Sequence, residues 1–161
     1  MNDIIEVQFD LTPPTQEQLR ELAADLSDKE RHLLLEHGEE APFCGVFLTE
    51  KREGVYTCRL CGLPLFKGGA KFESGTGWPS FTAPFAEEHL RDIRDTSYGM
   101  VRTEIVCARC GAHQGHVFPD GPPPAGERFC INSGSLEFTP QGELLPDKLR
   151  RGAPEGEPWR S

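Results

Sequence analysis

Residues 113–138, HQGHVFPDGPPPAGERFCINSGSLEF, gather two histidines, an arginine, a cysteine and an asparagine in one turn-rich span. Cys130 belongs to no CxxC pair. A cysteine attacks as its thiolate, so it needs a neighbour that lowers its pKa or a group that moves protons for it. His113 and His116 suit the second task, because imidazole titrates near neutral pH. Arg128 and Asn132 stand two residues to either side of Cys130. On an extended segment such residues share a face, so all three can address one ligand, with Arg128 favouring the thiolate. A buried strand cysteine with surface histidines nearby explains each residue singly, but not their convergence.

Four more cysteines form two matched knuckles, Cys58-Arg59-Leu60-Cys61-Gly62 and Cys107-Ala108-Arg109-Cys110-Gly111. Two CxxC pairs far apart in sequence are the pattern of a tetrahedral four-thiolate zinc site, with the glycines allowing the tight turns. Such a site is closed. One zinc per chain is therefore expected to be structural, and to stabilise the fold by on the order of 10 kcal/mol. Cys44 stands alone, and a lone cysteine is more often a small buried hydrophobe than a reactive group.

The elements that must hold these groups are short. Val55-Tyr56-Thr57 and residues 100–106 read as strands leading into the knuckles, with a further strand at 135–138. Thr15 with Gln18 and Ser27 with Glu30 are capping boxes. They predict a helix over about 16–26 and a second one carrying Leu33, Leu34 and Leu35, which Gly38 stops. Trp78, in a rigid glycine-bracketed loop before Phe81, is either a core anchor or a wall for a sulfur-bearing group. Within the charged stretch 82–98, His89 reads as solvated. Residues 1–14 read as a loose arm. The resulting division is an arm and packed helices over 1–40, a β domain over 41–140, and a flexible tail over 141–161, rich in proline, glycine and charge.

With 161 residues, 37% hydrophobic and 27% charged, one globular domain is expected. A formal net charge of −9 argues against a nucleic-acid partner. No apolar run is long enough for a membrane span and no signal peptide is evident, so a cytoplasmic setting is expected. There, six cysteines point to metal binding or catalysis rather than a disulfide framework. Nothing demands more than a monomer.

Together the two knuckles, SGTGWPSF at 74–81, RTE at 102–104, HQGHVFPDGP at 113–122 and RFCINSGSLEF at 128–138 resemble the type B methionine sulfoxide reductases. The pieces spread over most of residues 42–138, and the ordered set is highly specific. The resemblance implies a mainly β fold of two packed antiparallel sheets (β-tent-like), with short N-terminal helices and a four-cysteine structural zinc site. It implies reduction of methionine R-sulfoxide, mostly in damaged proteins. Carried onto this sequence, Cys130 is the nucleophile and His116 the acid for the sulfoxide oxygen. His113 and Asn132 position substrate and water, Arg128 supports the thiolate, and Trp78 with Phe81 binds substrate. Many members carry a resolving cysteine where this chain has Thr76. An early cysteine in a PFCG context serves others, which implies a Cys44–Cys130 disulfide recycled by thioredoxin. Gln114 also departs, standing where leucine is frequent, and suggests a polar contact near the site. Two other readings are a zinc-ribbon-like binding module, which leaves Cys130, His116 and Asn132 without a role, and a cysteine hydrolase, which has no use for a second free thiol.

Overall fold

The computed structural model describes residues 9–152. Both capping boxes form: Thr15 and Gln18 open α1 (Gln16–Ala24), and Ser27 and Glu30 open α2 (Asp28–Leu35). Each box satisfies donors that the first turn leaves unpaired. The left-handed residue that ends α2 is not Gly38 but His37, at φ 57°, with the Gly38 N–H closing back on the His32 carbonyl. His37 is held there by a hydrogen bond from its side chain to Glu104.

The rest is mainly β. Strands β1 (Gly54–Cys58), β2 (Pro64–Lys67) and β9 (Leu136–Pro140) make a three-stranded sheet in the order β2-β1-β9. Strands β3 (Lys71–Phe72), β4 (Ser80–Phe81), β5 (Leu90–Asp95), β6 (Arg102–Cys107), β7 (His113–Phe118) and β8 (Arg128–Ile131) make a six-stranded sheet. Its order is β3-β4-β8-β7-β6-β5, and the pairings in both sheets are antiparallel. Tyr56, Leu65 and Phe66 from the first sheet and Phe81, Ile105 and Ile131 from the second are fully buried. Burial of each such side chain contributes about 1.5–3 kcal/mol. The Phe66 and Phe81 rings stack at 4.3 Å and join the sheets. Phe81 is therefore a core residue and not a substrate contact: its strand turns the ring away from the cavity described below.

The charged stretch 82–98 holds β5, an edge strand whose side chains are largely exposed, so neither face shows an apolar alternation. Two other expectations change. His89 is buried, not solvated: its Nδ1–H donates to the Pro64 carbonyl at 2.6 Å and its ring packs against Phe9 and Phe85. Burial holds its pKa below the ordinary imidazole value. The chain ends, where described, lie against the domain. Phe9 and Leu11 pack on the core and Leu149 is buried in it. Lys148 bonds Glu137 and the Arg59 carbonyl, and Arg151 donates to the Thr12 carbonyl at 2.6 Å. Residues 1–8 and 153–161 lie outside the described part. No described helix is long and apolar enough to cross a membrane.

Candidate active site and thiolate cluster

Strand register places Cys130 and His116. They are directly opposed on β8 and β7, with Ser80 opposite Cys130 on β4 and Glu104 opposite His116 on β6. Opposed residues project to the same face, so one row across four strands carries hydroxyl, thiol, imidazole and carboxylate. Gly115 makes the row possible, since a Cβ there would lie 2.0 Å from the Cys130 carbonyl oxygen. A bulge refines it. Ile105 pairs with Gly115 and Val106 with His113, leaving Gln114 unmatched. That extra residue lets His113 and His116, three apart, share a side.

Cys130, His116, Arg128, Asn132 and Trp78 line one cavity of about 150 Å³, and Thr76, Phe118, Glu39 and Arg102 help to close it. Burial pushes the Cys130 thiol up to about 11, while the Arg128 charge pulls it down and Glu39 and Asp120 oppose that pull. Arg128 is itself braced by Asp120 at 3.0 Å and lies over the Phe118 ring. His116 Nε2 meets Asp95 Oδ2 at 2.9 Å, and Arg102 bonds both Asp95 and Glu39.

Not every expected group reaches the cavity. His113 is 1% exposed and stands behind His116, its ring edge-on at 5.5 Å. Its Nδ1 lies 2.5 Å from Glu104 Oε2, and burial lowers its pKa although Glu104 pulls the other way. Asn132 lines the cavity, but its amide group is engaged: Nδ2–H donates to the Gly38 carbonyl at 2.9 Å and Oδ1 accepts from the Glu40 N–H at 3.2 Å. Trp78 Nε1–H donates to the Glu40 carbonyl at 3.0 Å. Cys44 is exposed and does not line the cavity. It lies on the strap of residues 37–47, whose Phe43 N–H bonds the Gly77 carbonyl at 2.7 Å in the Trp78 loop. Thr76 does line the cavity.

Asp95, Glu104 and Arg102 have no role in the sequence reading, yet they brace both histidines. Asp95 sits in the charged stretch 82–98, and Glu104 and Arg102 belong to RTE, a motif whose spacing carries no chemistry of its own. Only the pairing of β5, β6 and β7 brings them in.

The two knuckles fold alike. Cys58 N–H bonds the Leu63 carbonyl at 2.8 Å and Cys107 N–H bonds the Ala112 carbonyl at 2.9 Å. Gly62 and Gly111 take φ of +82° and +79°. The sulfurs of Cys58 and Cys110 lie 3.6 Å apart, as do those of Cys61 and Cys107, and all four are within 4.8 Å of one another. Sulfurs at about 2.3 Å from a tetrahedral metal lie about 3.8 Å apart, so the donor set fits such an ion. Arg109 Nε–H points at Cys61 Sγ at 3.5 Å and Gln114 Nε2–H at Cys58 Sγ at 3.4 Å, both suited to thiolate charge. The bulged Gln114 thus makes its polar contact at the cysteine cluster rather than in the cavity.

The SelR domain matches residues 26–140. The chain is 65% identical over 144 residues to the peptide methionine sulfoxide reductase MsrB of Caulobacter vibrioides, covering 89% of this chain and 91% of that protein. It is 60% identical over 148 residues to the MsrB of Xylella fastidiosa (92% and 96%) and 54% identical over 119 residues to that of Escherichia coli (74% and 87%).

Proposed function

The chain belongs to the SelR family, that of the peptide methionine sulfoxide reductases MsrB, and from this premise we propose that it reduces methionine R-sulfoxide, in oxidised proteins and peptides, to methionine. One observation above all supports the reading: Cys130 and His116 face each other across the β7–β8 ladder at one cavity walled by Trp78.

A sulfoxide sulfur is a poor electrophile until its oxygen is protonated. With the substrate methyl group against Trp78, His116 gives a proton to the sulfoxide oxygen as the Cys130 sulfur attacks the sulfoxide sulfur. The cysteine sulfur is oxidised and the substrate sulfur reduced. Cys130–SH and the sulfoxide become Cys130–SOH and the thioether, with oxygen moving from one sulfur to the other. Arg128 lowers the cost of the thiolate, and His113, from behind, fixes the His116 ring rather than touching substrate. Cys44–SH then condenses with Cys130–SOH, forming the disulfide and releasing water. Because Cys44 lies outside the cavity, this step moves the strap. Thioredoxin, a dithiol, returns both thiols and leaves as its own disulfide.

Cys58, Cys61, Cys107 and Cys110 would hold one structural zinc ion, whose bonds to four thiolates fasten β1 to β6. The protein acts as a monomer in the cytoplasm, with catalysis in residues 41–140.

The test is one equivalent of a methionine R-sulfoxide peptide on the reduced protein, without external reductant, followed by acid digestion and cysteine mapping by mass. Methionine with a Cys44–Cys130 disulfide is expected. Methionine with Cys130 oxidised and Cys44 free would remove the resolving step. No methionine, with all thiols free and metal retained, would overturn the reaction.

A further inference from the structure

Glu40 is buried, 5% exposed, and among the described residues it forms no ion pair. A carboxylate in such a place is costly unless its oxygens are satisfied. They are satisfied by backbone: Oε1 accepts from the Ser133 N–H and Oε2 from the Gly134 N–H at 3.2 Å, in the turn directly after Asn132. The main chain of the same residue holds the cavity. Its N–H donates to Asn132 Oδ1 and its carbonyl takes the Trp78 indole N–H. One residue therefore ties together the aromatic wall, the asparagine and the turn that follows the Cys130 strand.

The same residue anchors the strap that carries Cys44. A Cβ on Gly45 would lie 2.3 Å from Ser133 Oγ and 2.8 Å from Glu40 Oε1, so Gly45 rests directly on this joint. The Phe47 N–H bonds Ser133 Oγ at 3.2 Å. Cys44 is exposed between points held by Gly77 on one side and by Glu40 and Ser133 on the other.

We propose that Glu40 is a positioning residue that couples the two halves of the catalytic cycle: its carboxylate, seated on the Ser133 and Gly134 N–H groups, holds the Trp78–Asn132 site closed for substrate while holding Cys44 away from Cys130. Resting on the reductase reading above, this makes substrate capture and disulfide formation compete for the position of one segment. When Cys44 moves to Cys130, residue 40 leaves the Trp78 and Asn132 partners, and the oxidised enzyme has a dismantled sulfoxide site until a reductant restores it. Glu40 touches no reacting atom; it acts through the backbone it fixes.

The test compares wild type, Glu40→Ala and Glu40→Gln as full-length, metal-loaded protein in single-turnover reactions with a methionine R-sulfoxide peptide. Methionine release and Cys44–Cys130 disulfide appearance are followed separately by acid quench and mass. Glutamine retains one acceptor, so it is the intermediate variant and serves if the alanine variant does not fold. The expected result is a split in sign: methionine formation slows and half-saturates at higher peptide concentration, each on the order of tenfold for alanine, while the disulfide forms faster once sulfenic acid is present. In a Trp159→Phe background, emission from Trp78 should shift to the red in both variants, and in wild type on oxidation. Parallel slowing of both steps, or no change in either, overturns the proposal. Wild type that makes no methionine instead overturns the reductase reading, and wild type that makes methionine without the disulfide overturns the Cys44 step and with it this coupling.

Discussion

His116 and Asp95, 21 residues apart, meet at 2.9 Å between Nε2 and Oδ2, and the same Asp95 oxygen takes a guanidinium N–H of Arg102 at 3.2 Å. Hydrogen bonds from Ser97 and then from His116 hold the Asp95 carboxyl well below the usual carboxylate range, and Arg102 adds to this. It therefore remains an anion wherever the enzyme works, and it fixes one nitrogen of the ring. When the ring is protonated both nitrogens carry N–H, so one is held by Asp95 and the other is left to donate.

Asp95→Asn should therefore lower kcat by about 10- to 100-fold with KM changed far less, since the asparagine amide can turn a donor toward Nε2. His116→Ala should cost more than His113→Ala, because His113 does not reach the cavity. Steady-state kinetics with a methionine R-sulfoxide peptide checks both; equal effects of the two histidine changes would move the acid elsewhere.

The Cys130 thiol, raised from its ordinary 9.0 to about 11, is overwhelmingly protonated in the resting site at neutral pH. Its alkylation by iodoacetamide should rise about tenfold per pH unit between pH 7 and 10, the slope of thiolate fraction below the pKa. Exposed Cys44 should be labelled first. Arg128→Ala removes the charge that pulls the thiol down and should slow Cys130 labelling further. The same burial has a stability consequence. In this window the folded state binds the proton more tightly than the unfolded one, so the contribution present below pH 9 is lost as pH rises through 11. Mass-resolved alkylation across pH reads the first effect and chemical denaturation the second.

Metal removal should act on the fold before it acts on the chemistry. Cys58 and Cys107 end β1 and β6, one strand from each sheet, and Cys61 and Cys110 lie in the turns that follow. Cys107→Ser or a strong chelator should remove one zinc per chain and abolish the cooperative thermal transition, given a site contribution on the order of 10 kcal/mol. Metal analysis beside calorimetry checks it. A metal-free protein that melts at the same temperature would deny the cluster a structural role.

Trp78 and Phe81, three residues apart, should fail in different ways. Phe81→Ala empties a fully buried position and should cost about 3–5 kcal/mol of stability. Trp78→Ala removes a cavity wall and should raise KM while leaving a folded, metal-bound protein. Denaturant titration and kinetics on the pair separate the two roles.

What could be read from the chain was local. The capping boxes, the knuckles and the Arg128-Cys130-Asn132 spacing are patterns within a few residues, and each sits in the structure at the place its pattern gives. What could not be read depends on partners far along the chain. Phe81 looked like a companion of Trp78 until Phe66, from the other sheet, stacked on it. His89 looked solvated because its sequence neighbours are charged, but Phe9 and Phe85 cover it. Asp95 sits on an exposed edge strand with no apolar period, and only ladder pairing across β6 brings it to His116. Leu149 looked like part of a polar tail because the leucines there, set among prolines, glycines and charges, make no clear periodicity, yet it finds the core.

The thiol and the imidazole owe their separation to a ladder and not to a loop. Their spacing is inherited from backbone hydrogen bonding, with Gly115 a place in that ladder where side-chain identity is sterically dictated. The rim is built differently: Thr76 and Trp78 come from one connecting loop and Glu39 from another. The rim can thus be lengthened, shortened or recharged in those loops while Cys130 and His116 stay in register. Directed evolution of substrate range in this protein has its natural targets in those two loops.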